Sequence, residues 1–439
     1  MGFRTAVERK WAYWNARRAW VFELTEVLAF SLLFTAGAGA QAARARAQIV
    51  QPVDPTNRVV LRGNTPPLAR AENDRGAAPD GLLLNHMLLV LKRPPEQETA
   101  LRELLIEQQV KSSPNYHRWL TPKQFGNQFG PADADIQAIR DWLSSQGFEI
   151  DGVSAGRSVI EFSGTAGLVR ESFHADVHQF VVNGSAYWSN AGDPQIPAAL
   201  APVVAGIASL NNFPVKPMSH RLGVPVRIKR AEGITPFYTV TGANGKVYHA
   251  LSPADFDTIY NVPPSVNGAP DGRGETIAIV ASSNVNLQDS TNFRDTFGLA
   301  GPAPNVMLNG PDPGTIPGYE SEADLDMEWA GAIAQFATID LVVSQDTFST
   351  PGINLSALYI VDHNLAPVMS VSYGYCEFSL GVAGNTFFNT LWEQAAAQGI
   401  SVVVAAGDQG SAACDNGNAV NKGLAVSGVA STPFDVAIG

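Results

Sequence analysis

Residues 367–411 read PVMSVSYGYCEFSLGVAGNTFFNTLWEQAAAQGISVVVAAGDQGS. The runs 367–372 and 401–406 are short apolar strand segments, and 383–398 between them carries a helical pattern. Strand, helix, strand at this spacing is a β-α-β unit, so the two strands are expected to lie parallel. Working outward, further apolar strand runs stand at 275–281 and 339–344, with helical patterns at 321–336 and 353–361. The expected class is α/β, a parallel sheet with right-handed crossovers and helices on both faces. Ligands of such sheets bind beyond the carboxyl ends of the strands, which is where Gly374 and Asp408 fall.

The helical segment 320–336, ESEADLDMEWAGAIAQF, is the most acidic part of this repeat. Its apolar positions Leu325, Trp329, Ala332, Ile333 and Phe336 recur at helical spacing. At roughly 100° per residue, Glu322 falls roughly 40° and Asp326 roughly 80° from the centre of that stripe. Both are expected to border the core. Asp324 falls roughly 120° away, toward water, and is the weaker candidate. Half-buried carboxylates side by side bind protons more tightly and titrate as a coupled pair, which suits acid-pH catalysis with one as base and the other orienting it. An E-x-x-x-D spacing alone is commonly a solvated helix face, and an aspartate in a glycine-rich loop such as Asp408 is commonly a turn residue.

Upstream, residues 84–213 contain LNHMLLVLKRPP, ETALRELLIEQQ, SSPNYHRWLTPKQFGNQFG, IQAIRDWLSSQGFEI, VIEFSGTAGLVRESF and ADVHQFVVNGSAYWSN. Strands alternate here with two amphipathic helices in the β-α-β-β-α-β order of a ferredoxin-like domain. This stretch resembles the activation domain of the sedolisin (serine-carboxyl peptidase, kumamolisin-like) family, and the run from Ser113 to Pro122 is its most specific piece. GETIAIV, SEADLDMEW, PVMSVSYG and VVVAAGDQGS follow in that family's order, so the resemblance covers about residues 84 to 439.

The resemblance implies a subtilisin-like parallel sheet, present in part, preceded by an α+β propeptide. It also implies catalytic roles. Glu322 and Asp326 would activate a serine hydroxyl, and a protonated Asp408 would donate to the developing oxyanion where other serine peptidases use neutral donors. Ser372 and Gly374 would form the strand edge that pairs with the substrate backbone. Two departures stand out. No Gly-Thr-Ser, the family's nucleophile motif, occurs in the 439 residues, so this polypeptide is expected to be incomplete as a catalyst. Calcium is implied by the family only, with ligands expected beyond residue 439. Some members place a third glutamate after the first strand, where this chain has Ala281.

Charge is unevenly divided. The formal net charge is −12, made of −17 from Leu251 onward and +5 before it. The basic front half can complement the acidic back half as a docked propeptide would, and the sign disfavours nucleic acid. The N-terminus has a basic region up to Arg18, the apolar run VLAFSLLFTAGAGA at 27–40 and small-residue cleavage sites, which is signal-peptide grammar. A retained anchor is the lesser reading, since the run is short for a span. Cys376 and Cys414 follow PVMSVSYG and AAGD. If those strands are neighbours in a parallel sheet, the cysteines can pair, closing a loop worth roughly 3 to 4 kcal/mol; two free buried thiols are the other reading. His363 is the one histidine past residue 250, which disfavours a Ser-His-Asp arrangement. His174 and His178 are expected on a strand, facing one way, in a structural role.

The expected organisation is a signal peptide at 1–42, a flexible segment at 43–83, the activation propeptide at 84–213, a linker with the processing site at 214–250, and the N-terminal part of a catalytic domain at 251–439. The resulting expectation is a secreted, acid-acting serine-carboxyl endopeptidase precursor with polypeptide substrates and its own propeptide as intramolecular inhibitor. No stable membrane association is expected after signal cleavage. Two alternatives remain open: a non-catalytic secreted inhibitor, chaperone or binding protein, and a different exported hydrolase of the parallel-sheet class.

Overall fold

Leucine and valine crowd residues 83–91, and they form the central strand of the first sheet, β1 (Leu83–Leu91), buried from Met87 to Leu91. This computed structural model describes residues 45–217, 238–241, 245–263, 270–415 and 423–439; the expected signal peptide and most of the expected linker lie outside them. After β1 come α1 (Pro95–Glu107), α2 (Pro122–Phe129), α3 (Asp133–Ser145), β2 (Glu149–Val153), β3 (Val159–Thr165), α4 (Ala166–Phe173) and β4 (Val204–Ile207). The antiparallel sheet runs β2-β3-β1-β4. With α3 and α4 as its two crossing helices, this is the β-α-β-β-α-β arrangement. Its core joins Leu89, Ile139, Leu143, Phe162, Val169 and Phe173.

The sequence suggested two helices here, and there are four. Helix α1 contains most of the run ETALRELLIEQQ that the sequence marks as helical, and with α2 it carries Leu101, Phe125 and Phe129, which pack on Ala397 of the second sheet's helical layer rather than on the first sheet. The histidine expectation also needs correction. His174 is not on a strand: it caps α4 in the left-handed region at φ 49°. His178 does lie on a strand, Val177–Val182, where its Nδ1 is 2.8 Å from an Asp74 carboxylate oxygen.

The second sheet is built from β6 (Thr276–Ala281), β7 (Asn305–Leu308), β8 (Thr338–Val343), β9 (Val368–Val371), β11 (Ser401–Ala405) and β12 (Val436–Ile438). The short β5 (Lys216–Pro217) and β10 (Tyr373–Gly374) pair with each other outside it. The order is β7-β8-β6-β9-β11-β12, and each neighbouring pair is parallel. The crossings include α5 (Glu320–Ile333), α6 (Gly352–His363) and α7 (Glu377–Ala397), the last broken at Gly381, φ 64°. That break explains why the sequence pattern began only at 383.

Strand alternation sets the two faces. Ala278, Val280, Val342, Met369 and Val402 pack on α6 and α7, while Ile279, Ala281, Ile339, Leu341 and Val343 pack on Ala323 and Met327 of α5. The parallel α/β class with helices on both faces is therefore the fold observed. Within the segment expected as a linker, the described residues include β5 and an antiparallel pairing of Tyr238–Thr241 with Val247–Ala250.

Residues 45–439 form one compact unit. Leu88, Val90 and Val159 of the first sheet belong to the same core as Phe387, Phe388 and Trp392 of α7. The Ser113–Pro122 run is part of this junction. Leu120 N–H donates to the Ala397 carbonyl at 3.0 Å, and the Gln108 side-chain amide reaches the same carbonyl at 3.0 Å. Thr121 then starts α2 with a capping box to Gln124.

Candidate active site

Helix α5 carries two acids, Glu320 and Glu322, in its first turn, where the helix dipole favours them. Its buried residues are Glu322, Ala323, Met327, Gly331 and Ala332, so the stripe is centred nearer Ala323 and Met327 than the expected Leu325 and Trp329. Leu325 is 43% exposed. The sequence reading favoured the larger side chains, but the small Ala323 and Gly331 let the helix lie close on the sheet. Glu322 and Asp326 remain beside the core under this corrected centre; Glu322 is 4% exposed.

Asp326 points to the carboxyl end of β9. Its Oδ1 accepts a hydrogen bond from the Ser372 hydroxyl at 2.8 Å, and its Oδ2 is buried with no hydrogen-bond partner. Burial pushes its pKa up to about 7; the Glu322 carboxyl adds to the rise and the Ser372 hydroxyl opposes it. A carboxyl so placed holds its proton at acid pH and exchanges it with a neighbouring group most readily near neutrality. Tyr373, fully buried, is also pushed upward, by burial first and by Asp326 second. Its ring stacks 6.1 Å from Tyr319, whose hydroxyl donates to the Val215 carbonyl at 3.1 Å. The start of α5, the strand edge and the chain entering β5 are thus tied together.

The edge itself is taken by the chain's own backbone. β5 pairs antiparallel with β10, with Lys216 opposite Gly374 and Pro217 opposite Tyr373. This is strand addition by an intramolecular segment at the position expected for substrate. Nothing in the composition of the linker signalled it, because a two-residue pairing has no periodicity to detect.

Asp408 lies in the exposed turn after β11, next to β9 in the sheet. The structure therefore brings Asp326, Glu322 and Ser372 into one group and puts Asp408 at the carboxyl end of the adjacent strand. Cys376 and Cys414 form a disulfide between the segments that leave these two strands, as parallel neighbours allow. A carboxyl the sequence reading passed over is Glu328, on the same helix, which burial pushes to about 8 with help from Asp324 and Asp289. Its signal was present in the acidic run, but its face could not be assigned with the stripe misplaced.

Calcium takes oxygen ligands. Among the described residues the metal-ligating side chains that converge are His86, Asp151 and Glu161, on other elements, and an imidazole nitrogen does not suit that ion. No role for calcium follows from the residues described.

Comparison with known proteins adds the family. Residues 71–213 match the family described as "Pro-kumamolisin, activation domain". Sedolisin from Pseudomonas sp. (strain 101) is 27% identical over 368 residues, 81% of this chain and 59% of that protein. Kumamolisin from Bacillus sp. (strain MN-32) is 28% identical over 364 residues, 81% of this chain and 62% of that one. Xanthomonalisin from Xanthomonas sp. (strain T-22) is 26% identical over 364 residues, 76% and 41% of the two chains. The chain thus spans about three fifths of the length of the first two relatives. Among solved structures, Pseudomonas sedolisin, a serine-carboxyl proteinase complexed with two molecules of pseudo-iodotyrostatin, aligns over 43% of this chain and 53% of that one, at 27% identity and a TM-score of 0.38. Over most of its length the chain is similar to peptidases of the sedolisin family, and its residues 71–213 match the pro-kumamolisin activation domain.

Proposed function

We propose that this chain is the precursor of a secreted, acid-acting serine-carboxyl endopeptidase. In this reading Asp326 and Glu322 form the proton relay of the nucleophile, and a protonated Asp408 donates to the oxyanion. Ser372 and Gly374 define the edge that receives a peptide substrate. The observation that carries the reading is the meeting of a carboxyl raised to about 7 with a strand edge already paired by an antiparallel segment of the same chain. Edge pairing supports peptides as the substrate class, because it recognises backbone before side chain. The paired segment supports the propeptide and linker as an intramolecular inhibitor. No helix among the described residues is long and apolar enough to cross a membrane.

The attack is assigned to the serine of a Gly-Thr-Ser motif, which residues 1–439 do not contain, so activity is proposed for the product that includes it. The test begins with the genomic sequence after the Gly439 codon. If that sequence continues in frame into Gly-Thr-Ser, the encoded protein is expressed and brought to acid pH. Self-cleavage within 214–250, on the C-terminal side of Pro217, is expected, and Asp326→Asn should slow it by about 10²- to 10⁴-fold, the usual worth of a group that takes part in acid–base proton transfer. A stop codon at that point, or cleavage indifferent to Asp326→Asn, would overturn the peptidase reading and favour the non-catalytic inhibitor or binding protein.

A further inference from the structure

A second cluster of chemistry-bearing side chains lies in the first sheet. β1 is irregular between Leu84 and Met87, and within that bulge His86 adopts φ 59°, a conformation histidine rarely takes. The bulge turns the imidazole toward β2 and β3. Nδ1 lies 2.6 Å from Glu161 Oε1 and 4.0 Å from Asp151 Oδ2. One ligand atom from each of the three lies within 4.8 Å of the others. Asp151 is held from behind, since the Ser163 hydroxyl donates to its Oδ2 at 2.6 Å, and the His86 backbone N–H donates to the same hydroxyl at 3.0 Å. An outer partner that orients a ligating carboxylate is the usual support of a metal site.

The cluster also has somewhere for the rest of a coordination sphere to go. His86 and Glu161 line a cavity of about 260 Å³ whose opposite wall comes from the second sheet's side, including Asn309, Gln345, Tyr359 and Asp362. Water carried by an ion would find hydrogen-bond partners there.

We propose that His86, Asp151 and Glu161 bind one divalent cation of the zinc type, with water completing the coordination in the cavity between the two sheets. One imidazole nitrogen with two carboxylates is a donor set for borderline transition cations rather than for calcium. Ligand atoms around one tetrahedral zinc lie about 3.3 Å apart. The His86–Glu161 contact therefore opens slightly, the Asp151 carboxylate closes in, and the proton between Nδ1 and Oε1 goes to solvent. The ion would also stiffen a junction. The Asn85 carbonyl accepts from Thr347 Oγ1 and Ser349 Oγ, at 3.0 and 2.8 Å, and the His86 carbonyl accepts from Thr350 Oγ1 at 2.7 Å. A bulge fixed by metal holds those three hydroxyls against the activation domain.

The test is calorimetric titration of Zn²⁺ into the EDTA-treated 439-residue chain at pH 7, with thermal melts in parallel. One Zn²⁺ per chain and a higher melting temperature with zinc are expected. His86→Asn should bind at least 100-fold more weakly and lose the shift, and Ser163→Ala should bind about 10-fold more weakly. Asparagine is chosen because it tolerates positive φ. Far-UV circular dichroism and the zinc-free melt check its fold, and Glu161→Gln repeats the test without touching the bulge. No saturable uptake would overturn the proposal. So would unchanged affinity in both His86→Asn and Glu161→Gln, which would put the ion elsewhere, or equal competition by Ca²⁺, which would reject the zinc type.

Discussion

Asp326 shows how one side chain can make the molecule favour acid. Its carboxyl titrates near 3.8 when unfolded and about 7 in the folded chain, chiefly through burial. Between those values the folded chain keeps a proton that the unfolded chain has released. Its contribution to stability is therefore complete below about pH 4 and is lost as pH rises through 7. A shift of this size corresponds to up to about 4 kcal/mol. Asp326→Asn removes the titration while its amide oxygen can still accept from Ser372. Relative to the native chain, the variant should gain stability as pH goes from 4 to 8, read as a rising difference in urea midpoint. A constant difference across that range would mean that Asp326 is not held protonated by burial. The two acids and their closeness to the core were legible from the E-x-x-x-D spacing. The hydrogen bond of Asp326 with Ser372 was not, because it joins residues 46 apart and depends on how α5 is rotated.

At the scale of elements, the Ser113–Pro122 run acquires a physical meaning. Gly399, just past the end of α7, sits at φ +80°, and a Cβ there would lie 2.6 Å from the Trp119 ring. The indole lies where only a glycine leaves room, so the two residues form one joint between the activation domain and α7. Gly399→Ala must bear the left-handed strain, about 1–2 kcal/mol, and also displace the indole. A total loss of about 2–3 kcal/mol is expected. In the Trp119→Ala background only the backbone part should remain, so a double-mutant cycle should show clear non-additivity; additive losses would deny the joint. The sequence marked Trp119 as characteristic of the family without saying what it touches, since its partner is 280 positions away and is a glycine with no pattern of its own. The helices and parallel strands were easier to place because each repeats a local period. The pairing of β5 with β10 escaped for the opposite reason.

On the scale of the whole molecule, the activation domain and the parallel sheet are joined by more than surface attraction. The charge division, +5 against −17, suggested long-range complementarity, and exposed charges of that kind contribute little once salt is present. What the structure adds is a buried pair: Arg93, whose side chain is 7% exposed, lies 2.7 Å from Glu393, 2% exposed. Burial raises the Glu393 pKa even though Arg93 pulls it down. A pair of this kind adds little net stability but makes separation costly, because losing one partner strands the other. Arg93→Ala should destabilise the chain by about 3–5 kcal/mol, and adding Glu393→Gln should recover part of that loss. Because Leu88, Val90 and Val159 share a core with α7, the native chain should melt in one calorimetric transition despite its length. Arg93→Ala should melt earlier, and if it melts in two steps the buried pair is what couples the halves. Two transitions already in the native chain would mean that the common core is too weak to bind propeptide and sheet into one cooperative unit, and the strand at Lys216–Pro217 would then have to hold the edge closed by itself.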